Sequence, residues 1–519
     1  MSQVLLFLLL SVTVASASLT TPPNIVLIVA DDLGYNDIGA YGSPTIDTPN
    51  LNTLSQMSTI FTQFNNAAPI CSPSRASLLT GKLPKRLGVY SDLDPPLDEL
   101  FRVFYPSSVN CMSTNETTIA SELKSSNKYE TFHIGKSHTG HNNCLPGQGT
   151  YGIDFFWGLP YSHEEGYPGP SPEDIVFPPV PLYSNDIIVE QPFNVTDLTE
   201  RYIQLSEYII HRSRDPNYPL PNLDATTLSS LANLGPIAAS SFFLHLAFEN
   251  PHVPLFVAPD FQNTSKRGLY GDAVEEMDAG IGLILDALSA TNQLDNTIII
   301  FTSDNGAWLS PSNGLNDESV PPQDGGCNAP LRGGKGSTWE GGFRAPFIFK
   351  GTGGSSVGGQ RITVPISGVD VFPTLLDFAG VGILDQQKRD GKSFRRLIDD
   401  DGNNDDPIHE CLPYWRERDL YAVRCGAIKG HFITRSGFDF SDHGEQHDPP
   451  LLFNIENDPA EAFPLGAEDF EDELNAILDF ADRHRKEMAN DTAESLYLQQ
   501  AVSVMPCCSV PSACNCKRK

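Results

Sequence analysis

The chain has 519 residues, 40% hydrophobic and 19% charged, which excludes wholesale disorder and suits one large domain with a smaller one. Its formal net charge of −31 excludes nucleic acid as a partner, because phosphate backbones call for basic surface. After the first 19 residues no run of 18 apolar residues occurs, so no membrane span is predicted.

Residues 1–19 read as a signal peptide, with an apolar run from Val4 to Leu10 and an Ala15-Ser16-Ala17 cleavage site, although no Lys or Arg precedes the run. This predicts the secretory pathway, with a lysosomal or extracellular destination. Asn24–Ala30 is a continuous, β-branched apolar run of the kind buried on both faces of a parallel sheet. Cys71 to Gly81 reads as a helix, with Pro73 in its first turn and Gly81 at its end. Residues 160–200 are rich in proline and acidic residues and read as a long functional loop. Further strands are predicted at Phe242–Phe248 and Thr297–Phe301, with a helical pattern from Ala273 to Leu288 between them. Asp399–Pro407 reads as a linker. Beyond it lie short strands at Leu420–Val423 and Gly430–Thr434 and a charged helix from about Glu471 to Met488. The fold class is therefore α/β, a large mostly parallel sheet flanked by helices, followed by a smaller C-terminal α+β domain. The expected organisation is 1–19 signal peptide, 20–400 catalytic domain and 401–519 C-terminal domain.

An oxidising compartment makes sense of ten cysteines. Cys507, Cys508, Cys514 and Cys516 crowd the C-terminus and are expected to staple the tail. The pairing of Cys111, Cys144, Cys327, Cys411 and Cys425 is not legible in the sequence. Sequons at Asn115, Asn194, Asn263 and Asn490 are compatible with glycosylation.

Ligand-type residues follow each predicted strand. Asp31 and Asp32 follow the first, Lys136 and His138 follow Phe132–Gly135, His252 follows Phe242–Phe248, and Asp304 and Asn305 follow Thr297–Phe301. If the strands are parallel, all of these share the carboxyl-end rim where open α/β sheets bind ligands. Asp31, Asp32, Asp304 and Asn305 offer oxygen and no sulfur, which favours a hard divalent cation, calcium in preference to magnesium. Each pair alone reads equally as turn or cap chemistry. His443, His447 and Asp448 read as surface rather than a second metal site.

Cys71 opens its helix, where free N–H groups and the dipole favour an anion, and Arg75 adds a fixed cation one turn on. The segment Cys71-Ser72-Pro73-Ser74-Arg75, followed by Leu79-Thr80-Gly81, resembles the signature of the type I sulfatases of the alkaline phosphatase superfamily. Asp31-Asp32-Leu33-Gly34, Gly135-Lys136-Ser137-His138, Thr302-Ser303-Asp304-Asn305-Gly306, Gly334-Lys335-Gly336 and Glu340-Gly341-Gly342 resemble further segments of that family in order. So do Asp390-Gly391-Lys392-Ser393 and Asn457-Asp458-Pro459-Ala460-Glu461. Gly158-Leu159-Pro160-Tyr161-Ser162-His163 and the Cys507-Cys508 pair resemble its arylsulfatase branch. Residues 91–112, which contain Cys111, look like an extra insertion, and residues 164–200 lack the cysteines of that branch.

The resemblance implies an alkaline phosphatase-like fold and sulfate-monoester hydrolysis. It implies that Cys71 is oxidised to Cα-formylglycine by the formylglycine-generating enzyme during secretion. Asp31, Asp32, Cys71, Asp304 and Asn305 would hold the metal. Lys136, Lys335 and Arg75 would neutralise the sulfate, His252 would protonate the leaving oxygen, and His138 would deprotonate the second hydroxyl of hydrated residue 71. Ser162 would bind sulfate or substrate. The implied substrate is a sulfated small molecule, glycan or glycolipid; a homo-oligomer is left open. Competing readings are a phosphoesterase or phosphonate hydrolase of the same superfamily, and a binding protein on a retired sulfatase fold.

Overall fold

Alternate residues of Ile25–Ala30 enter two different cores, which is why that run is wholly apolar. Val26, Ile28 and Ala30 pack among the helices Leu198–Arg212 and Leu269–Ala290. Ile25, Leu27 and Val29 pack against the opposite layer, which includes the helix Val371–Ala379. The larger of these fully buried side chains each contribute about 1.5–3 kcal/mol. In this computed structural model the described residues are 21–507 apart from 95–96, 98–101, 148, 167–177, 235–238, 310–324, 354–357, 385–386, 400–404 and 438–441. The signal peptide, part of the linker, and Cys508, Cys514 and Cys516 lie outside them.

Among the described residues, twelve strands precede the C-terminal domain: β1 Asn24–Ala30, β2 Thr59–Phe61, β3 Phe64–Asn65, β4 Tyr129–Gly135, β5 Phe155–Gly158, β6 Leu182–Ser184, β7 Ile187–Glu190, β8 Ser241–Ala247, β9 Thr297–Ser303, β10 Phe347–Lys350, β11 Gln360–Ile362 and β12 Ile366–Ser367. Ten of them form one sheet in the order β11-β2-β10-β9-β1-β8-β4-β5-β6-β7. Its centre, β9 to β5, is wholly parallel, while β10, β6 and β7 run antiparallel to their neighbours at the flanks. The expected mostly parallel α/β sheet is present. Residues 160–200 are not one long loop: β6, β7 and the start of the helix Leu198–Arg212 lie within them. Three- and four-residue edge strands carry too little periodicity to be read beside prolines.

The C-terminal part is a four-stranded antiparallel sheet, β13 Leu412–Arg416, β14 Asp419–Cys425, β15 Ile428–Thr434 and β16 Glu445–Asn454, covered by the helix Glu471–Asp491. Ile477, Ala481 and Met488 of that helix pack on Val423, Ile428 and Leu452. Disulfides join Cys111 to Cys144 and Cys411 to Cys425. No helix among the described residues is long and apolar enough to cross a membrane.

Candidate active site

Strand register builds the site. Ala30 of β1 pairs with Ser303 of β9, Gly135 of β4 with Ala247 of β8, and Val29 with Ala247, so the four strands end within one residue of one another. The next residues continue the pairing: Asp304 N donates to Ala30 O at 3.1 Å and Lys136 N to Ala247 O at 2.9 Å. Asp31, Asp304, Lys136 and the segment leading to His252 therefore emerge on one rim. Gly135 is required here, since its φ is +107° and a Cβ would lie 1.8 Å from Ala247 O.

Cys71 opens the buried helix Cys71–Thr80, which ends on Gly81 at φ 71°. Its Sγ lies 3.5 Å from Asp31 Oδ1. Arg75, one turn on and on the same face, donates from Nε to Asp304 Oδ2 at 2.8 Å and from Nη1 to Lys136 O at 3.1 Å. Lys136 Nζ donates to Asp31, and Lys335 Nζ donates to Asp32 Oδ2 at 2.8 Å. His252 Nε2 lies 2.8 Å from Lys335 Nζ and 3.4 Å from Asp32 Oδ2. Asn305 Nδ2 donates to Asp32 Oδ1 at 2.7 Å and to Gly306 O at 3.0 Å. Nine of the eleven residues singled out in the sequence thus belong to one connected buried network. His138 and Ser162, both buried, stand beside it: His138 Nε2 lies 3.4 Å from Glu165 and 3.1 Å from Phe104 O. The Ser162 hydroxyl makes no hydrogen bond among the described residues. His443 and Asp448 are exposed and His447 bonds Thr434, and no second cluster forms there among the described residues.

Charge settles unevenly in this network. Burial pushes the Asp31 carboxyl up, but Lys136, His252 and Arg75 together hold it well below the usual carboxylate range. Asp304 is pushed up to about 6, by burial and then by Asp31, against Arg75. Burial pushes the Cys71 thiol up, against the pull of Lys136 and Lys335. Burial, then Lys136 and Arg75, keep His138 well below the histidine range and so neutral. Burial opposes charge on His252 too, yet the Glu164 carboxylate outweighs it and holds the ring well above that range.

The donor set suits a hard divalent cation. Asp31, Asp32, Cys71 and His252 bring ligand atoms within 4.8 Å of one another, all buried. Both Nδ2 bonds of Asn305 fix its amide so that Oδ1 is a buried acceptor with no protein partner among the described residues. The carboxylates of Asp31, Asp32 and Asp304 supply further oxygen.

Sequence reasoning missed Glu164, whose Oε2 sits 2.6 Å from His252 Nδ1, Glu165 beside His138, and Trp308, whose ring takes the Lys335 ammonium 4.9 Å from its centroid. Both glutamates directly follow Ser162-His163, which was the available signal. It also missed that the insertion reaches the site: Val103 and Tyr105 pack on Ile70 and Cys71.

The sequence model of the family described as Sulfatase matches residues 23–381, and that of the C-terminal region of aryl-sulfatase matches residues 407–516. This chain belongs to the sulfatase family. Human arylsulfatase A is 33% identical over 486 residues, covering 88% of this chain and 86% of that protein. Rat N-acetylgalactosamine-6-sulfatase is 30% identical, covering 96% and 92%. Among solved structures, Ps i-CgsB in complex with k-i-k-neocarrahexaose superposes with a TM-score of 0.67 at 26% identity, covering 93% of this chain and 96% of that one. PsFucS1 sulfatase from Pseudoalteromonas sp. shares the fold, with a TM-score of 0.70 at 24% identity over 92% of both chains. The sulfatase is accordingly a sulfuric ester hydrolase.

Proposed function

We propose that this sulfatase cleaves sulfate monoesters using Cys71, oxidised to Cα-formylglycine, as the source of its nucleophile. The observation that carries the reading is the setting of Cys71: a buried helix N-terminus, 3.5 Å from Asp31, with Arg75, Lys136, Lys335 and His252 gathered in the same network. Such a cluster is built for an anion carrying several oxygens. Oxidised and hydrated, residue 71 supplies the attacking hydroxyl; a divalent cation, calcium in preference to magnesium, would supply Lewis-acid chemistry at that position. Asp31, Asp32, Asp304, Asn305 and residue 71 would hold that cation.

Lys136, Lys335 and Arg75 hold the sulfate oxygens, with the Ser162 hydroxyl as an additional donor to sulfate or substrate. His252 passes a proton to the ester oxygen as its bond to sulfur breaks, and Glu164 fixes the ring from the other nitrogen. Neutral His138 takes the proton from the remaining hydroxyl of residue 71, which expels sulfate and restores the aldehyde. The natural substrate is a sulfated glycan or glycolipid; a relative named N-acetylgalactosamine-6-sulfatase supports this class. Residues 1–19 direct the chain to the secretory pathway, to a lysosomal or extracellular destination. The four sequon asparagines are all exposed, which is compatible with glycosylation. The catalytic domain ends near residue 400.

The test is a mass spectrum of the peptide ending at Arg75, from protein made in a eukaryotic secretory host, together with aryl sulfate hydrolysis at acidic pH. An aldehyde at position 71, with activity abolished in Cys71→Ala, is expected. An unmodified thiol in protein that still hydrolyses aryl sulfates would overturn the mechanism.

A further inference from the structure

The loop that carries Lys335 is held on two sides. On the inner side, Lys335 N donates to Ala307 O at 3.0 Å and Gly336 N donates to Pro69 O at 2.8 Å. These anchors stand two residues from Asn305 and two from Cys71, so the loop is referenced directly to the site. On the outer side the holders come from the C-terminal domain. Arg416 of β13 donates from Nε to Gly336 O at 2.8 Å and from Nη2 to Gly437 O at 3.1 Å. Lys429 of β15 donates to Thr338 O at 2.8 Å and to Glu340 Oε1 at 3.0 Å.

Arg416 is 1% exposed and Lys429 is fully buried. Removing a guanidinium and an ammonium from water costs several kcal/mol each, which packing alone would avoid by using apolar residues. Both are aimed at backbone carbonyls of a single short loop, one and three residues after Lys335. Gly437 completes the fit: a Cβ there would lie 2.5 Å from Lys335 O. Moving Gly336 O moves the Lys335 backbone with it, and the ammonium must meet Asp32 and the sulfate within a few tenths of an ångström.

We propose that the C-terminal domain is part of the catalytic apparatus, with Arg416 as a positioning residue that sets the Lys335 ammonium through the carbonyl of Gly336. The proposal rests on the role given to Lys335 above. It separates Arg416 from a residue that merely stabilises a domain interface, because its effect must pass through one side chain.

The experiment is a double-mutant cycle on the full chain, Arg416→Gln against Lys335→Ala. Aryl sulfate turnover is normalised to the fraction of modified residue 71 measured by mass spectrometry. Lys335→Ala alone is expected to lower kcat/KM strongly. Arg416→Gln alone is expected to lower kcat by about 10- to 100-fold with a smaller change in KM, and to cost less than about twofold once Lys335 is absent. An equal loss from Arg416→Gln in both backgrounds, or no loss in the Lys335 background, overturns the positioning role while leaving Lys335 in place. An unaffected Lys335→Ala enzyme overturns the role of Lys335 itself, and the positioning with it. Should Arg416→Gln fail to fold, Gly437→Ala, which crowds Lys335 O directly, replaces it in the same cycle with the same outcomes.

Discussion

Lys429→Met should destabilise the junction between the two sheets by about 3 kcal/mol at neutral pH. Lys429 Nζ sits 3.0 Å from Glu340 and 3.2 Å from Glu461, and none of the three is exposed. Burial pushes the Glu340 carboxyl up, but Lys429 first, then Arg424 and Arg344, bring it down to about 2 from 4.5. A shift of that size corresponds to about 3 kcal/mol of stability. Removing one partner of a buried ion pair costs about 3–5 kcal/mol, which agrees. The sign follows from the depressed carboxyl: its contribution is present above pH 4.5 and is lost only as pH falls through about 2. Without Lys429 the buried carboxyl binds its proton far more readily, so the variant recovers stability as pH falls while the wild type does not. The assay is urea unfolding at pH 7 and pH 4, followed by tryptophan fluorescence, to which Trp339 contributes from this cluster with its ring 4.5 Å from that of His431. A difference near 3 kcal/mol at pH 7 that narrows at pH 4 is expected. A difference below about 0.5 kcal/mol, or one that does not change with pH, would refute the reasoning.

Glu276 is 4% exposed; burial, then Glu200, against the Ala258 N–H, raise its carboxyl to about 7. A raised carboxyl destabilises the fold as it ionises, so Glu276→Gln should be up to about 3 kcal/mol more stable above pH 7, with no gain below pH 4.5; melting curves across that range check this. Glu164→Gln should slow hydrolysis of alkyl sulfates more than aryl sulfates, because only a poor leaving group depends on the proton held by His252; equal slowing of both series would contradict the acid role. Gly135→Ala should abolish the yield of folded enzyme, since the added Cβ meets backbone rather than a movable side chain; wild-type yield and activity would refute the close-approach argument.

The sequence by itself determined the central strands and what stands at their ends. Ile25–Ala30 and Ile298–Phe301 are apolar at every position because both of their faces are covered, and that leaves no ambiguity about their place in the sheet. Asp31, Asp32, Lys136, His252, Asp304 and Asn305 were legible for the same reason: a strand end is local information, and parallel pairing brings such ends together. The helix opened by Cys71 was legible from Pro73 and Gly81, which act on their own backbone.

Tertiary structure alone decided what depends on partners distant in the chain. β6 and β7 exist as edge strands only because β5 offers a free edge, and nothing in Leu182–Glu190 outweighs the surrounding prolines. Cys111 meets Cys144, and Cys411 meets Cys425, by packing that spacing does not encode. Arg416 and Lys429 look like surface cations in sequence, where charge ordinarily means exposure. They are buried because a loop some 80 to 90 residues earlier brings carbonyls that satisfy them, a pairing no local pattern can announce.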